Sequence, residues 1–373
     1  MTTTTLTPED QITTGTLDIK VTRIPRTRAM PKASELGFGR IFTDHMFALD
    51  YEEGRGWYDA RIMPYGPIAL DPGASALHYG QAMFDGCKAF RAKDGRVLLF
   101  RNRRHAARLS DGAPRLGMVA PDADTIHDAM KALVHFEREW VPSEPGTSLY
   151  LRPTLIGTEG FLGVRASRKY LFYIILSPVG AYYADGMKPV RIWVEKDYIR
   201  AARGGLGAVK AGANYAASLF AATAAQKRGY AQVLWLDALE HRYCEEVGVM
   251  NLFVQLKDEI VTAPLGGTIL AGVTRDSVLT LLRDWGYKVN ERRYAFDEVL
   301  EAKKNGTLGE VFGTGTAAVI SPVGEFGYTE GVLKTSEGTI GPLAQRLYST
   351  LTSIQYGEAA DPHGWIEEVT AVA

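Results

Sequence analysis

The amino-acid sequence predicts an α+β protein of two domains. At 373 residues, the chain exceeds the size at which one hydrophobic core usually stops growing. Short strand-like segments separated by hairpin turns, with helices among them, favour α+β domains over a doubly wound parallel sheet. The segment Ser177–Pro189 contains two prolines and two glycines and is the best linker candidate. We therefore expect a smaller domain over residues 31–178, a linker over 179–189 and a larger domain over 190–373.

In the first half of the chain, a hairpin is predicted over Lys88–Phe100, because Asp94 and Gly95 lie between two apolar runs. Helices are predicted from about Arg103 and over Asp124–Trp140, where most apolar side chains fall on one face. Two apolar strands follow, Ser148–Ile156 and Lys169–Leu176.

In the second half, the pattern predicts a strand over Val190–Glu195 and a helix over Asn214–Arg228 that stops at Gly229. Helices over Thr274–Trp285 and Asp297–Asn305 likewise stop before a glycine. Four short strands are predicted between these helices: Gln232–Leu236, Arg242–Glu246, Asn251–Leu256 and Glu259–Ala263.

Composition excludes several classes of protein. A net charge of −1 argues against general affinity for nucleic acid or anionic membranes. Cys87 and Cys244 fit neither a disulfide framework nor a zinc site, so no metal is expected. Residues 1–30 are Thr-rich and resemble no secretory signal, so a flexible N-terminal arm is expected. Because no apolar run approaches the length of a membrane-spanning helix, the cytoplasm is the simplest location.

Lys210 has an unusual setting. Six of the ten residues in Gly207–Ala216 are glycine or alanine, which gives the lysine neither bulk nor a counter-charge. Such a segment lets a flat, rigid group lie against the backbone, and burial lowers a lysine pKa toward the free amine that a Schiff base needs. A solvated loop lysine is the ordinary alternative, so further signals have to decide.

Four other features are typical of a pyridoxal-phosphate site. Glu246 offers a carboxylate for a pyridine nitrogen, and Gly272–Arg275 opens a helix whose amides can bind phosphate, with Thr274 as N-cap. Phe312–Ala318 is predicted to be a donor-rich loop of small residues. Arg104 and Arg108 share a helical face and suit a phosphate. Taken singly, each has a common structural explanation: a solvated acid, an ordinary N-cap, a tight turn or a basic surface.

In this order, the segments resemble the class IV pyridoxal-phosphate aminotransferases, and specifically the branched-chain amino acid aminotransferases. The resemblance runs from about Phe38 to Val323. Its most specific pieces are Phe42–Met46, Leu77–Gly80, Phe84–Phe90, Leu149–Pro153, Ser177–Tyr182, Lys210–Tyr215, Glu246–Phe253, Gly272–Arg275 and Val311–Ala317. It implies fold type IV, a homodimer, a cofactor between the domains, and reversible amino transfer between leucine, isoleucine or valine and 2-oxoglutarate.

The resemblance also implies residue roles. Lys210 would bind the cofactor covalently and move a proton, Glu246 would pair with the pyridine nitrogen, and Tyr215 would contact the phenolic oxygen. The phosphate would be held by Arg108, Val273, Thr274 and Thr316. The substrate would contact Tyr79, Phe84, Tyr150, Tyr182, Thr316 and Ala317, with Arg152 at the rim for the γ-carboxylate of glutamate.

Several positions depart from the family pattern without removing a reactive group. Ala213 stands where glycine is frequent, Ala271 where proline is frequent, and Asp85 where glutamate is common. Two activities remain alternatives on the same fold, D-amino acid aminotransferase and aminodeoxychorismate lyase. A dinucleotide-binding or non-catalytic protein is the alternative from another class, although Gly313–Ala318 lacks the third spaced glycine of the dinucleotide fingerprint.

Overall fold

A computed structural model of the chain describes residues 10–26, 29–181 and 187–370. The chain divides into two compact units, one formed by Met1–Ala184 with Ser353–Ala373 and the other by Asp185–Thr352. The division falls inside the predicted linker 179–189. Residues 353–373 belong to the first unit, whereas the sequence places them in the second domain.

The described residues form strands and helices throughout both units. The strands are β1 Asp10–Thr13, β2 Asp18–Val21, β3 His45–Glu52, β4 Gly56–Pro64, β5 Ala82–Phe84, β6 Cys87–Arg91, β7 Val97–Phe100, β8 Ser148–Gly157, β9 Lys169–Val179, β10 Val190–Glu195, β11 Gln232–Leu236, β12 Cys244–Val247, β13 Met250–Leu256, β14 Glu259–Thr262, β15 Val289–Glu291, β16 Leu308–Gly315, β17 Val319–Tyr328, β18 Gly331–Lys334 and β19 Ile366–Glu368. The helices are α1 Ala33–Leu36, α2 Ser75–Tyr79, α3 Asn102–Gly112, α4 Ala123–Phe136, α5 Gly212–Lys227, α6 Val273–Asp284, α7 Phe296–Lys304 and α8 Pro342–Gln355.

The first unit is built on one sheet with the strand order β1-β2-β4-β3-β9-β8-β6-β7-β19, and β5 pairs with β8. Strand β19 pairs with β7 through Ile366 and Phe100, which explains why the C-terminal segment belongs to this unit. Helix α4 begins after Asp122, whose side chain accepts a hydrogen bond from the Thr125 amide at 2.7 Å. It buries Ile126, Met130 and Leu133.

Residues 10–21 differ from the predicted flexible arm. Strands β1 and β2 form an antiparallel pair, and β2 continues into the sheet beside β4. Ile19 and Val21 are fully buried, and this alternating burial attaches the segment to the first unit. The apolar pattern is too short to stand out in a Thr-rich sequence. Residues 1–9 lie outside the described part.

Six strands of the second unit close into a barrel. The ring runs β10-β11-β12-β13-β16-β17 and returns to β10, with β10 parallel to both of its neighbours and the remaining pairs antiparallel. Strands β14, β15 and β18 extend it. Helix α5 covers β10 and β11 through Ala221 and Ala225, which pack with Tyr230, Val233 and Trp235. The ring holds the carboxylate-bearing strand β12 between two neighbours.

Most of the predicted elements are present, with shifted ends. The predicted hairpin is β6–β7, with Gly95 at φ +88° and the Asp94 carboxylate accepting from the Arg96 amide. The glycines that follow α5, α6 and α7 all have positive φ, as expected of helix stops. Helix α4 ends at Phe136, four residues earlier than predicted, and a short 3₁₀ turn at Arg138–Trp140 follows it. Within the described ranges, no helix is long and apolar enough to cross a membrane.

Candidate active site

Lys210 lies immediately before helix α5, where Ala211 is the N-cap. Its Nζ donates a hydrogen bond of 2.7 Å to the hydroxyl of Tyr215, which lies in the first turn of the helix. Asn214 fixes the approach of the chain, because its amide nitrogen donates to the carbonyls of Leu206 and Val209, both at 2.8 Å. The helix start therefore holds an amine and a phenol together.

Protein packing accounts for part of the small-residue composition before Lys210. A Cβ on Gly207 would lie 2.5 Å from the Thr268 carbonyl oxygen and 2.5 Å from the Ala201 Cβ. These distances are far below van der Waals contact, so only glycine fits. The sequence suggests a bed for a flat ligand at this position, whereas the close neighbour is the backbone before α6.

Glu246 is a buried carboxylate with donors on both oxygens. Its residue exposure is 2%. Oε1 accepts from the Leu270 amide at 2.8 Å and from Asn251 Nδ2 at 3.4 Å, while Oε2 lies 2.9 Å from Arg200 Nε. Each carboxylate oxygen has further acceptor capacity. These contacts hold the carboxylate in one place.

Glu246 belongs to a row of three polar residues on neighbouring strands of the barrel. In the strand register, Glu246 stands opposite Asn251, and Asn251 stands opposite Thr314, so the three side chains share one face. The Thr314 hydroxyl is buried and has no hydrogen-bond partner among the described residues. A buried hydroxyl without a partner is costly in a folded chain, and a polar ligand on this face would satisfy it.

Two segments supply donors for an anion. Helix α6 starts with Val273 and Thr274 in its first turn, where backbone amides point out of the helix end. The N-cap is Gly272, which makes no side-chain cap, so the prediction of Thr274 as N-cap is wrong. A Cβ on Gly272 would lie 2.1 Å from Asn251 Oδ1, so only glycine fits at this N-cap.

Thr316 and Ala317 lie half-buried in the turn between β16 and β17. The sequence predicts a loop over Phe312–Ala318, but Phe312–Gly315 continue strand β16 and only 316–318 form the turn. Gly313 is paired in the sheet, and atoms of Met250 and Val247 lie only 3.0 Å from where a Cβ on this residue would stand. The donor-rich part is therefore shorter than predicted.

Two cavities in this unit lie on either side of β12. A narrow cleft of about 10 Å³ is lined by Tyr215 and Glu246 together with Arg200; it is too small for a pyridine ring, so a cofactor would lie outside it. A larger cavity of about 450 Å³ is lined by Glu245 and Thr268. Because successive strand residues point to opposite faces, Glu245 and Glu246 serve different sides of the strand.

In the first unit, Arg108 is held by a buried carboxylate. Asp85 is fully buried and accepts from Arg108 Nε at 2.8 Å, Arg108 Nη2 at 2.7 Å and His105 Nδ1 at 2.8 Å. Burial opposes ionisation of Asp85, but the Arg108 guanidinium and the hydrogen bonds from Arg108 and His105 outweigh it and hold the pKa of the carboxyl well below its usual range. Arg104, which was predicted to act with Arg108, is exposed. His105 and Arg108, three residues apart on the helix, are the ones that face Asp85.

Arg152, Tyr150 and Phe84 form one cluster on strands β5 and β8. The Arg152 guanidinium lies 4.5 Å from the Phe84 ring centroid and 5.2 Å from that of Tyr150, and its Nη2 donates to the Tyr150 hydroxyl at 3.2 Å. Arg152 Nε is buried and has no hydrogen-bond partner in the described ranges. A Cβ on Gly86 would lie 1.8 Å from the Tyr150 hydroxyl, so this glycine makes room for the phenol.

Lys88 and Tyr79 lie on β6 and α2, two elements that contact strand β8 of this cluster. Burial raises the pKa of the Tyr150 phenol, and Arg152 only partly offsets it. Lys88 stands opposite Tyr150 in the register, and burial lowers the pKa of its ammonium to about 8. Tyr79 is 40% exposed and donates its hydroxyl to the Leu162 carbonyl. Tyr182, predicted to contact the substrate, lies outside the described residues.

Comparison with known proteins identifies the family of this chain. Residues 83–326 match the family described as Amino-transferase class IV. The chain is 48% identical over 361 residues to Branched-chain-amino-acid aminotransferase 2 of Bacillus subtilis, covering 97% of this chain and 99% of the relative. It is 53% identical over 340 residues to Branched-chain-amino-acid transaminase 1 of the same organism, covering 91% and 96%. The chain belongs to the class IV aminotransferase family.

Solved structures of the family show the same fold. The branched-chain amino acid aminotransferase of Escherichia coli superposes with a TM-score of 0.73 at 26% identity, covering 88% of this chain and 100% of that one. The T.th. branched-chain amino acid aminotransferase, complexed with N-(5′-phosphopyridoxyl)-L-glutamate, has a TM-score of 0.68 at 26% identity, covering 86% and 98%. The predicted α+β fold is confirmed.

Class IV aminotransferases use pyridoxal phosphate, and the residues of the second unit fit this group. An amine next to a phenol, a buried carboxylate and an unsatisfied buried hydroxyl suit the polar groups of a phosphorylated pyridine. Three contributors were not identified from the sequence, Arg200, Asn251 and Thr314. Asn251 and Thr314 lie inside the motifs Glu246–Phe253 and Val311–Ala317, whereas Arg200 lies in none of them.

Proposed function

We propose that this protein is a branched-chain amino acid transaminase. It transfers an amino group reversibly between L-leucine, L-isoleucine or L-valine and 2-oxoglutarate, giving the branched 2-oxo acid and L-glutamate. The observation that carries the proposal is the half-buried guanidinium of Arg152 beside the rings of Phe84 and Tyr150. Aliphatic side chains pack on aromatic rings, and a γ-carboxylate pairs with a guanidinium. One cluster thereby accepts two substrates of opposite polarity.

The relatives support this substrate class. Two Bacillus subtilis proteins named for branched-chain amino acids are matched over almost their whole length. The T.th. enzyme has been crystallised with a phosphopyridoxyl derivative of L-glutamate and with 4-methylvaleric acid, a branched carboxylic acid. Those ligands combine the two side-chain polarities that we assign to the site.

The residues divide the chemistry among them. Bound pyridoxal phosphate supplies an electron sink for the charge that develops at the substrate Cα. Lys210 would hold the cofactor and would carry the proton removed from the substrate Cα, while Tyr215 orients Lys210 Nζ by accepting its hydrogen bond. Glu246 pairs with the pyridine nitrogen. The phosphate is assigned to Arg108, Val273, Thr274 and Thr316, and the substrate α-carboxylate to the amides of Thr316 and Ala317.

We also propose a cytoplasmic homodimer. Helix α5 is apolar along most of its surface but buries only Ala221 and Ala225 among its described side chains. Leu219 is 64% exposed and Phe220 is 67% exposed, with Tyr198 packed edge-on against Phe220. Adjacent exposed apolar groups of this size favour contact with another protein surface. Sedimentation equilibrium of wild type and Phe220→Ser tests the dimer. We expect a dimeric wild type and a weaker dimer in Phe220→Ser, and a monomeric wild type contradicts the proposal.

The experiment for the activity is a panel of amino donors with 2-oxoglutarate as acceptor. We expect L-leucine, L-isoleucine and L-valine to be used far better than D-alanine, with L-glutamate as product. Preference for D-alanine would instead assign D-amino acid aminotransferase. Release of pyruvate from aminodeoxychorismate, with no amino transfer from leucine, would assign the lyase.

A further inference from the structure

Arg200 has a buried guanidinium that contacts three segments of the second unit. Its side chain is 9% exposed. Nε lies 2.9 Å from Glu246 Oε2, Nη1 donates to the Thr268 carbonyl at 2.7 Å, and Nη2 donates to the Gly207 carbonyl at 3.2 Å. Thr268 precedes helix α6, and Gly207 precedes Lys210. One cation therefore joins the carboxylate to the backbone on both sides of it.

Burial opposes ionisation of the Glu246 carboxylate. Glu246 is 2% exposed, and burial disfavours the charged form. The adjacent acid Glu245 is also buried; burial raises its pKa, a hydrogen bond from Thr268 opposes this, and the Glu246 carboxylate adds to the rise. Leu270 and Asn251 donate to the Glu246 carboxylate as neutral groups, and Arg200 adds a positive charge at 2.9 Å.

We propose that Arg200 is a positioning residue that keeps Glu246 ionised. The proton shared by Glu246 and the pyridine ring then remains on the ring nitrogen and not on the carboxylate. The inference rests on the proposed function, in which Glu246 pairs with that nitrogen. A guanidinium at hydrogen-bond distance stabilises the carboxylate anion. Without it, a buried acid beside a second acid competes with the ring for the proton, and the cofactor loses its positive charge.

Two substitutions separate this electrostatic role from the structural one. Arg200→Lys keeps the positive charge but loses the planar fork that holds two carbonyls. Arg200→Gln loses the charge but keeps an amide that donates to carbonyl oxygen. Arg203→Gln is the matched control, because Arg203 is exposed and lies three residues away in the same segment. A purely structural role makes the Lys and Gln variants behave alike.

The test is the ¹⁵N resonance of the ring nitrogen in holoenzyme loaded with ¹⁵N-labelled pyridoxal phosphate. We expect a pyridinium resonance in wild type, Arg203→Gln and Arg200→Lys, and a shift toward neutral pyridine in Arg200→Gln and Glu246→Gln. A wild-type resonance in Arg200→Gln, with a shifted one in Glu246→Gln, overturns the inference and leaves the proposed function intact. An unshifted resonance in Glu246→Gln overturns the assignment of Glu246 itself.

A second measurement covers the case in which Arg200→Gln fails to fold or to hold the cofactor. The infrared difference spectrum between wild-type and Glu246→Gln holoenzyme reports the Glu246 side chain directly. We expect the bands of an ionised carboxylate, retained in Arg200→Lys. The band of a neutral carboxyl group in wild type overturns the proposal without any Arg200 variant.

Discussion

The substitution Asp85→Asn tests how Arg108 is held. Asp85 is fully buried and accepts hydrogen bonds from Nε and Nη2 of Arg108, from His105 and from the Gly86 amide. Asparagine keeps one acceptor oxygen but turns an amino group toward these donors and leaves the Arg108 guanidinium without a counter-charge. Removing one partner of a buried ion pair costs about 3–5 kcal/mol, and we expect a loss of stability in that range.

The assay is urea denaturation of the apoprotein, followed by titration with pyridoxal phosphate. Asp94→Asn is the matched control, because Asp94 pairs with Arg96 at the surface with a 55% exposed side chain, and exposed pairs contribute at most about 1 kcal/mol. If Arg108 binds the phosphate, the freed guanidinium should also weaken cofactor binding by about tenfold or more, equivalent to about 1.4 kcal/mol. Equal effects of the two substitutions refute the reasoning.

The pH dependence gives an independent check. The folded-state pKa of Asp85 lies below its usual value, so its contribution is present above the unfolded pKa of about 3.9 and is lost as the pH falls through the lower folded value. The stability difference between wild type and Asp85→Asn should therefore be constant near neutral pH and shrink only below about pH 4. A difference that disappears between about pH 5 and 7 would point to His105 instead.

Three further predictions concern the other site residues. Lys210→Ala should abolish turnover and leave a cofactor that dialysis removes. The phosphate released into the dialysate and the absorbance of the protein measure this loss, and retained turnover contradicts the assignment of Lys210. Tyr215→Phe removes the 2.7 Å acceptor of Lys210 Nζ, worth about 1 kcal/mol, so kcat should fall several-fold, and an unchanged kcat argues against the contact. Arg152→Met should raise KM for 2-oxoglutarate much more than KM for leucine in separate half-reactions, because only the former needs the guanidinium; parallel changes in both indicate a structural role.

Elements marked by local chemistry were predictable from the sequence. The Asp94-Gly95 turn and the glycines after α5, α6 and α7 mark ends that depend on a left-handed residue. Strands β1 and β2 carried no such signal, because their burial depends on pairing with β4, about forty residues further along the chain. The N-cap of α6 was misplaced because Gly272, which has no side chain to mark it as a cap, holds that position instead of Thr274.

The candidate site was predictable to the extent that its residues lie in motifs. Lys210 and Tyr215 are neighbours on a helix and do contact each other. The role of Thr314 was missed although it lies in the motif Val311–Ala317, because its place beside Asn251 follows from strand register. Arg200 was missed because it contacts Glu246 across 46 residues of chain. The partner of Arg108 was also unforeseen: in the sequence Asp85 stands out only as a departure from a common glutamate, although it is the residue that orients the guanidinium.

The closed ring of six strands has a consequence for how this protein tolerates change. A slip of β12 by one residue would exchange Glu245 for Glu246 on the face that carries Asn251 and Thr314. Such a slip has to break pairing with β11 and β13 at once, because the strand has no free edge. Insertions in the longer connections leave this register untouched, whereas the tight turn between β12 and β13 helps to set it. Changes in loop length can therefore accumulate around the barrel while the acid, the amide and the hydroxyl stay in line.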